Sequence, residues 1–142
     1  MPAVDVIDQT YAAVPPSALR KVLCAEAAWG DVLADVRLDC FEDRGLRGKR
    51  WTVSRGLEGT AEVWLEEVAE GTVIHVFLQA DPAVAPRSER ARSALDRAYR
   101  VRLKRWVTEV RDTLDADRVV GAAPDHVERE PRGRAGADST AR

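Results

Sequence analysis

Cysteine, histidine and net charge are all scarce in this chain, and each scarcity removes a class of function. The two cysteines of the 142-residue sequence, Cys24 and Cys40, cannot build a disulfide framework. No zinc-ligand spacing surrounds them, so they are expected as reduced, buried thiols acting as small hydrophobes. Of the two histidines, His126 falls in a Gly-, Pro- and charge-rich C-terminal stretch and is assigned no role. That leaves His75 as the one imidazole available for acid/base work. A formal net charge of −2 gives no global pull toward nucleic acid or an anionic membrane surface. No apolar run approaches the roughly 20 residues of a membrane-spanning helix, so no stable membrane insertion is expected. The first ten residues, MPAVDVIDQT, carry acids where a signal peptide needs a basic and then an apolar run, so the cytoplasm is the expected compartment. No cofactor or metal motif stands out, and neither group is expected.

What the chain does have is strand and helix patterning at ordinary composition, 45% hydrophobic and 32% charged. A chain of about 150 residues buries roughly two-thirds of its unfolded surface, enough for one domain with a sizeable core. Residues 3–13 alternate apolar and polar, a strand signal ended by Pro15-Pro16. Residues 17–28 follow as a helix opened by Pro16, and WGDVLAD as a short second helical turn. Residues 35–42 alternate cleanly, and a Gly-rich loop, DRGLRG, leads to strands at 49–55, 60–68 and 72–80. The turn joining the last two is placed at Glu70-Gly71. After DPAVAP, a long amphipathic helix opens at Arg87 or Ser88 and runs to about Asp115, with Leu95, Tyr99, Leu103, Trp106, Val110 and Leu114 on one side. The globular domain is expected over residues 1–118, and residues 119–142 as a disordered tail.

The order strand, helices, four antiparallel strands, long helix is an α+β pattern: about five strands wrapped around one C-terminal helix. This order, with the stretch RWTVSRGLEGTAEVWLEEVAEGTVIHVFLQADP, resembles the START-like (SRPBCC) superfamily, and within it short polyketide cyclase/dehydrase-like members. The resemblance covers about residues 3–116. It implies a helix-grip fold holding a lipid- or polyketide-like hydrophobic molecule between sheet and helix. Some members are aromatase/cyclases, and others bind lipids or quinones. Larger members carry six or seven strands, so five leave the pocket volume open.

Strand parity follows from the residues themselves. One parity collects Val36, Leu38, Cys40, Trp51, Val53, Ala61, Val63, Leu65, Val76, Leu78 and Ala80 on one face. Arg37, Asp39, Arg50, Glu62, Glu66, His75 and Gln79 then lie on the other. The alternative buries two glutamates beside His75, at several kcal/mol each if unpaired. The turn at Arg55–Gly59 decides between them, and a glycine bulge there could shift the register by one. On the first parity the cavity wall is Trp51, Val53, Val63, Leu65, Val76, Leu78, Tyr99 and Trp106. His75 with Glu62 and Glu66 is the candidate acid/base cluster for an aromatase/cyclase or dehydratase; it also reads as a surface salt-bridge cluster. Trp64 and Phe77, expected as cross-strand neighbours, read as an aromatic pair that stabilises the sheet with Arg50 stacked over Trp64, or as a candidate partner or homodimer patch. The basic row Arg90, Arg97, Lys104 and Arg111 reads best as the solvated face of the helix, not a nucleic-acid surface. A third reading is a protein-interaction module with a filled core.

Overall fold

The computed structural model describes residues 1–116; the expected tail lies outside the described residues. The elements are β1 (Val4–Ala12), α1 (Pro16–Leu23), α2 (Glu26–Val32), β2 (Val36–Asp43), β3 (Gly48–Arg55), β4 (Leu57–Val68), β5 (Gly71–Pro82) and α3 (Glu89–Ala116), with a single 3-10 turn at Gly45–Arg47 before β3. The five strands form one antiparallel sheet in the order β1-β5-β4-β3-β2. The chain is thus an α+β helix-grip: a five-stranded antiparallel sheet closed by a 28-residue C-terminal helix.

Local chemistry explains the breaks. Pro15 is extended and Pro16 opens α1, where its missing N–H costs nothing. The expected single helix over 17–28 is two, because Ala25 is extended at φ −90° and ψ 119°. This kink lets the indole N–H of Trp29 donate to the Leu23 carbonyl at 2.7 Å, satisfying an acceptor at the end of α1. Ser88 caps α3, its Oγ accepting from the Ala91 N–H at 3.1 Å. Gly48 sits at φ 118°, and a Cβ there would fall 1.9 Å from the Val63 carbonyl oxygen. Only glycine fits where β3 crosses this close to β4.

The parity that gathers the aliphatic residues on one face is the one observed. Cys40 faces Trp51 and Leu38 faces Val53, as expected. The β4–β5 hairpin differs from expectation by two residues. Val63 pairs with Val76, Leu65 with Ile74 and Ala61 with Leu78, because the tight turn is Ala69-Glu70 between Val68 and Gly71 rather than Glu70-Gly71. A shift of two preserves every side chain's face. It does change neighbours: Trp64 pairs with His75, not Phe77, and Arg50 lies over the Phe41 ring at 5.1 Å, not over Trp64. Cys24 is buried, but Cys40 is exposed because β2 is an edge strand that the helices leave largely bare.

Candidate functional site

The inner sheet face is continuously apolar. Val4, Val6, Trp51, Val53, Leu57, Ala61, Val63, Leu65, Ile74, Val76, Leu78 and Ala80 are all buried there, under Leu103, Val107 and Val110 of α3. All six strand residues expected to line a cavity are therefore on the face that α3 covers. Tyr99 and Trp106 are half-buried and pack at the margin of this core, with the Arg102 guanidinium 4.9 Å from the centre of the Tyr99 ring. The buried line of the helix is Leu103–Val107–Val110, turned slightly from the expected aromatic stripe.

The residue that sequence reasoning missed is Trp29. It is fully buried, and its ring centroid lies 5.2 Å from both Trp51 on the sheet and Trp106 on the helix. Three indoles thus bridge from sheet to helix in tilted and edge-to-face contacts, the arrangement aromatic quadrupoles favour. The signal available in sequence was a lone Trp in a short helical turn, which carries no periodicity.

The polar ends of the cluster are tied down. The Trp51 indole N–H donates to Glu26 Oε2 at 2.8 Å, and Lys49 Nζ approaches the same oxygen at 3.1 Å. Burial works to raise the Glu26 carboxyl pKa, but hydrogen bonds from Trp51, from its own backbone N–H and from Lys49 outweigh it and hold it below the ordinary range. Burial pushes the Cys24 thiol up to about 11, which leaves it unreactive at neutral pH.

Beside the indoles a cleft of about 290 Å³ opens between α1 and the C-terminal half of α3. Val22, Trp106, Glu109, Val110, Thr113 and Leu114 line it, mostly with apolar surface. The Trp106 ring on its wall touches Trp29, which in turn touches Trp51.

The acid/base cluster is partly assembled. His75 Nε2 is 2.9 Å from Glu66 Oε1, and the imidazole stacks on Trp64 at 4.1 Å. Glu62 points elsewhere, paired with Arg44 and, at 3.6 Å, with Arg50 Nε. The register puts His75 and Glu66 on the sheet face turned away from α3. His75 is nevertheless buried there, beneath its ring neighbours. Lys104 is not part of a free basic row: its ammonium reaches Thr10 Oγ1 at 2.8 Å and Asp8 Oδ1 at 3.2 Å. Among the described residues no group of three or more His, Cys, Asp or Glu is placed to hold a metal ion. No helix among them is long and apolar enough to cross a membrane.

No family model matches the chain, and no curated protein matches it. Solved structures do share its fold. It is similar to the Aha1 dimer from Colwellia psychrerythraea at a TM-score of 0.56 and 8% identity, over 82% of this chain and 99% of that one. It is similar to TTHA0849 from Thermus thermophilus at 0.55 and 11% identity, over 81% and 99%. It is similar to ChR145 from Cytophaga hutchinsonii at 0.53 and 7% identity, over 86% and 99%. At these identities the likeness is one of fold, and it extends over 81–86% of this chain.

Proposed function

We propose that the chain is a START-like protein that binds a hydrophobic small molecule between its sheet and its C-terminal helix, in the manner of the polyketide cyclase/dehydrase-like members it resembles. The observation that supports this most is the apolar cleft between α1 and α3, which abuts the three indoles that bridge sheet to helix. The ligand would enter against Val22, Trp106, Val110 and Leu114. Displacement of the Trp106 ring would extend its contact toward Trp51, Val53, Val63, Leu65, Val76 and Leu78. The driving force is burial of apolar ligand surface at about 25 cal/mol per Å², less the cost of association. Glu109 and Thr113 would offer polar handles in the cleft, while Tyr99, two turns before Trp106 on α3, lies outside its lining. A lipid-like or polyketide-like ligand of one or two rings suits a volume near 290 Å³.

The enzymatic alternative, an aromatase/cyclase or dehydratase, needs an acid/base group at the ligand. The His75–Glu66 pair lies on the opposite face of the sheet from the cleft, which favours binding over chemistry. Native mass spectrometry of freshly purified protein tests the proposal: a co-purified apolar compound that disappears in a Val22→Glu variant supports it. An empty wild-type protein that also fails to take up added naphthalene-sized aromatics refutes it.

A further inference from the structure

The two edges of the sheet are finished differently. The β1 edge is covered by polar side chains of α3, which runs alongside it. Asp96 Oδ1 accepts from the Asp5 N–H at 2.8 Å, Arg100 donates to the Asp5 carbonyl at 3.0 Å, and Lys104 donates to the Gln9 carbonyl at 3.2 Å. These bonds occupy backbone groups that would otherwise recruit another strand. Among the described residues the β2 edge has no such cover. The Gly56 N–H donates to the Asp35 carbonyl at 3.0 Å, which fixes the alternation of the antiparallel ladder. Asp35, Arg37 and Asp39 turn their backbone groups toward β3, so Val36, Leu38 and Cys40 turn theirs outward. Of the outward N–H groups, that of Val36 is used by the Leu33 carbonyl at 3.2 Å. Those of Leu38 and Cys40 face away from the sheet.

The side chains on this edge are self-complementary. Arg37 and Asp39 point from the face opposite α3, and their side chains are 61% and 53% exposed. We infer that β2 pairs with β2 of a second copy of the chain, antiparallel, about a two-fold axis at Leu38. That register places Leu38 opposite Leu38 and exchanges two backbone hydrogen bonds between them. It sets Val36 opposite Cys40, with the Cys40 N–H reaching the Val36 carbonyl on each side. It also places Arg37 of each copy opposite Asp39 of the other, extending the pair each strand already makes within itself at 3.0 Å. Sliding by two residues in either direction brings Arg37 against Arg37 or Asp39 against Asp39. In-register parallel pairing stacks like charges as well, and like charges side by side on a sheet are destabilising. One register therefore satisfies backbone and charge together. The bulge between Cys40 and Glu42 limits the pairing to the first part of the strand. The interface is accordingly small, and the association belongs to the weak, concentration-dependent class.

Sedimentation equilibrium of the full chain at low salt, from micromolar to millimolar concentration, tests this. Wild type dimerises. Arg37→Asp or Asp39→Arg alone raises the dissociation constant by about tenfold, since two attractive cross-strand pairs become repulsive. Mixing the two variants in equal amounts restores association. One variant then carries carboxylates at both positions and the other carries guanidiniums at both, and these edges are complementary in this register. Both sites are exposed, so the monomer fold is kept, as circular dichroism would verify. The inference is overturned by any of three results: a wild type monomeric throughout, single variants that dimerise as wild type does, or a mixture that stays monomeric. It is equally overturned if Ile7→Lys, on the strand at the far edge of the sheet, abolishes the dimer while the charge variants do not.

Discussion

Replacing Trp29 with alanine should be the most damaging single truncation in the fold. The side chain is fully buried, with ring centroids of Trp51 and Trp106 each 5.2 Å away. Removing a buried Trp side chain costs about 3–5 kcal/mol in transfer and cavity terms. Each aromatic pair contributes about 0.5–1.5 kcal/mol beyond area burial. The indole N–H to Leu23 carbonyl bond is also lost, at about 1 kcal/mol. These contributions overlap, so a total near the upper end, about 5 kcal/mol, is expected. A domain of this size holds about 5–15 kcal/mol in all, and the Tm should fall by roughly 15–20 °C. The void left behind has the shape of an indole between two aromatic walls. Free indole at about ten times its dissociation constant should then return about 1.4 kcal/mol, several degrees of Tm, to Trp29→Ala and much less to wild type. Urea unfolding followed by circular dichroism, with and without indole, reads both effects. A loss below about 1 kcal/mol would show that the three indoles do not bridge sheet and helix, and an indole effect equal in both proteins would point the same way. Trp29→Phe keeps the reasoning testable if the alanine variant does not fold; it should lose about half as much.

Further consequences can be checked independently. The depressed Glu26 carboxyl stabilises the fold above its ordinary value of 4.5, and that contribution is lost as pH falls through the lower folded value. Wild type should therefore exceed Glu26→Gln in stability near pH 7, by less than about 1 kcal/mol because the group is part-exposed, with the difference vanishing in acid. Of the two thiols, exposed Cys40 should react with a disulfide reagent at once, and Cys24 only on unfolding, so a stopped-flow trace should show one fast equivalent in native protein. Gly59→Ala should destabilise by more than about 3 kcal/mol in chemical denaturation, because its Cβ would lie 2.1 Å from the Gln79 carbonyl oxygen and 2.6 Å from the Ala80 Cα.

Element order and sheet parity were legible in the sequence because both rest on hydrophobic periodicity. Val36, Leu38, Trp51, Val53, Ala61, Val63, Leu65, Val76 and Leu78 alternate with a set that includes Arg37, Asp39, Arg50, Glu62 and Glu66, and burying those charges would be costly. The β4–β5 register was misjudged by two because both Ala69-Glu70 and Glu70-Gly71 are short turns that preserve parity, and only backbone geometry separates them. The site was half legible. The apolar sheet face follows from parity, but of the eight residues expected to line a cavity only Trp106 borders the cleft, and Trp29 entered by a kink at Ala25, where no glycine or proline marks a break. The exposure of Cys40 depends on strand order, since β2 lies at an edge, and order across a sheet is a tertiary outcome. The separation of Glu62 from His75 depends on long arginines, Arg44 and Arg50, whose reach no spacing pattern encodes.

The sharpest measurement uses the four tryptophans as reporters. In a ¹H–¹⁵N spectrum titrated with a naphthalene-sized apolar compound, the indole N–H signals of Trp106 and Trp29 should shift saturably with the Val110 amide. Trp64, stacked on His75 across the sheet, should stay still. Movement of Trp64 with Trp29 and Trp106 unchanged, or no movement at any indole, would contradict binding of a hydrophobic molecule between sheet and helix.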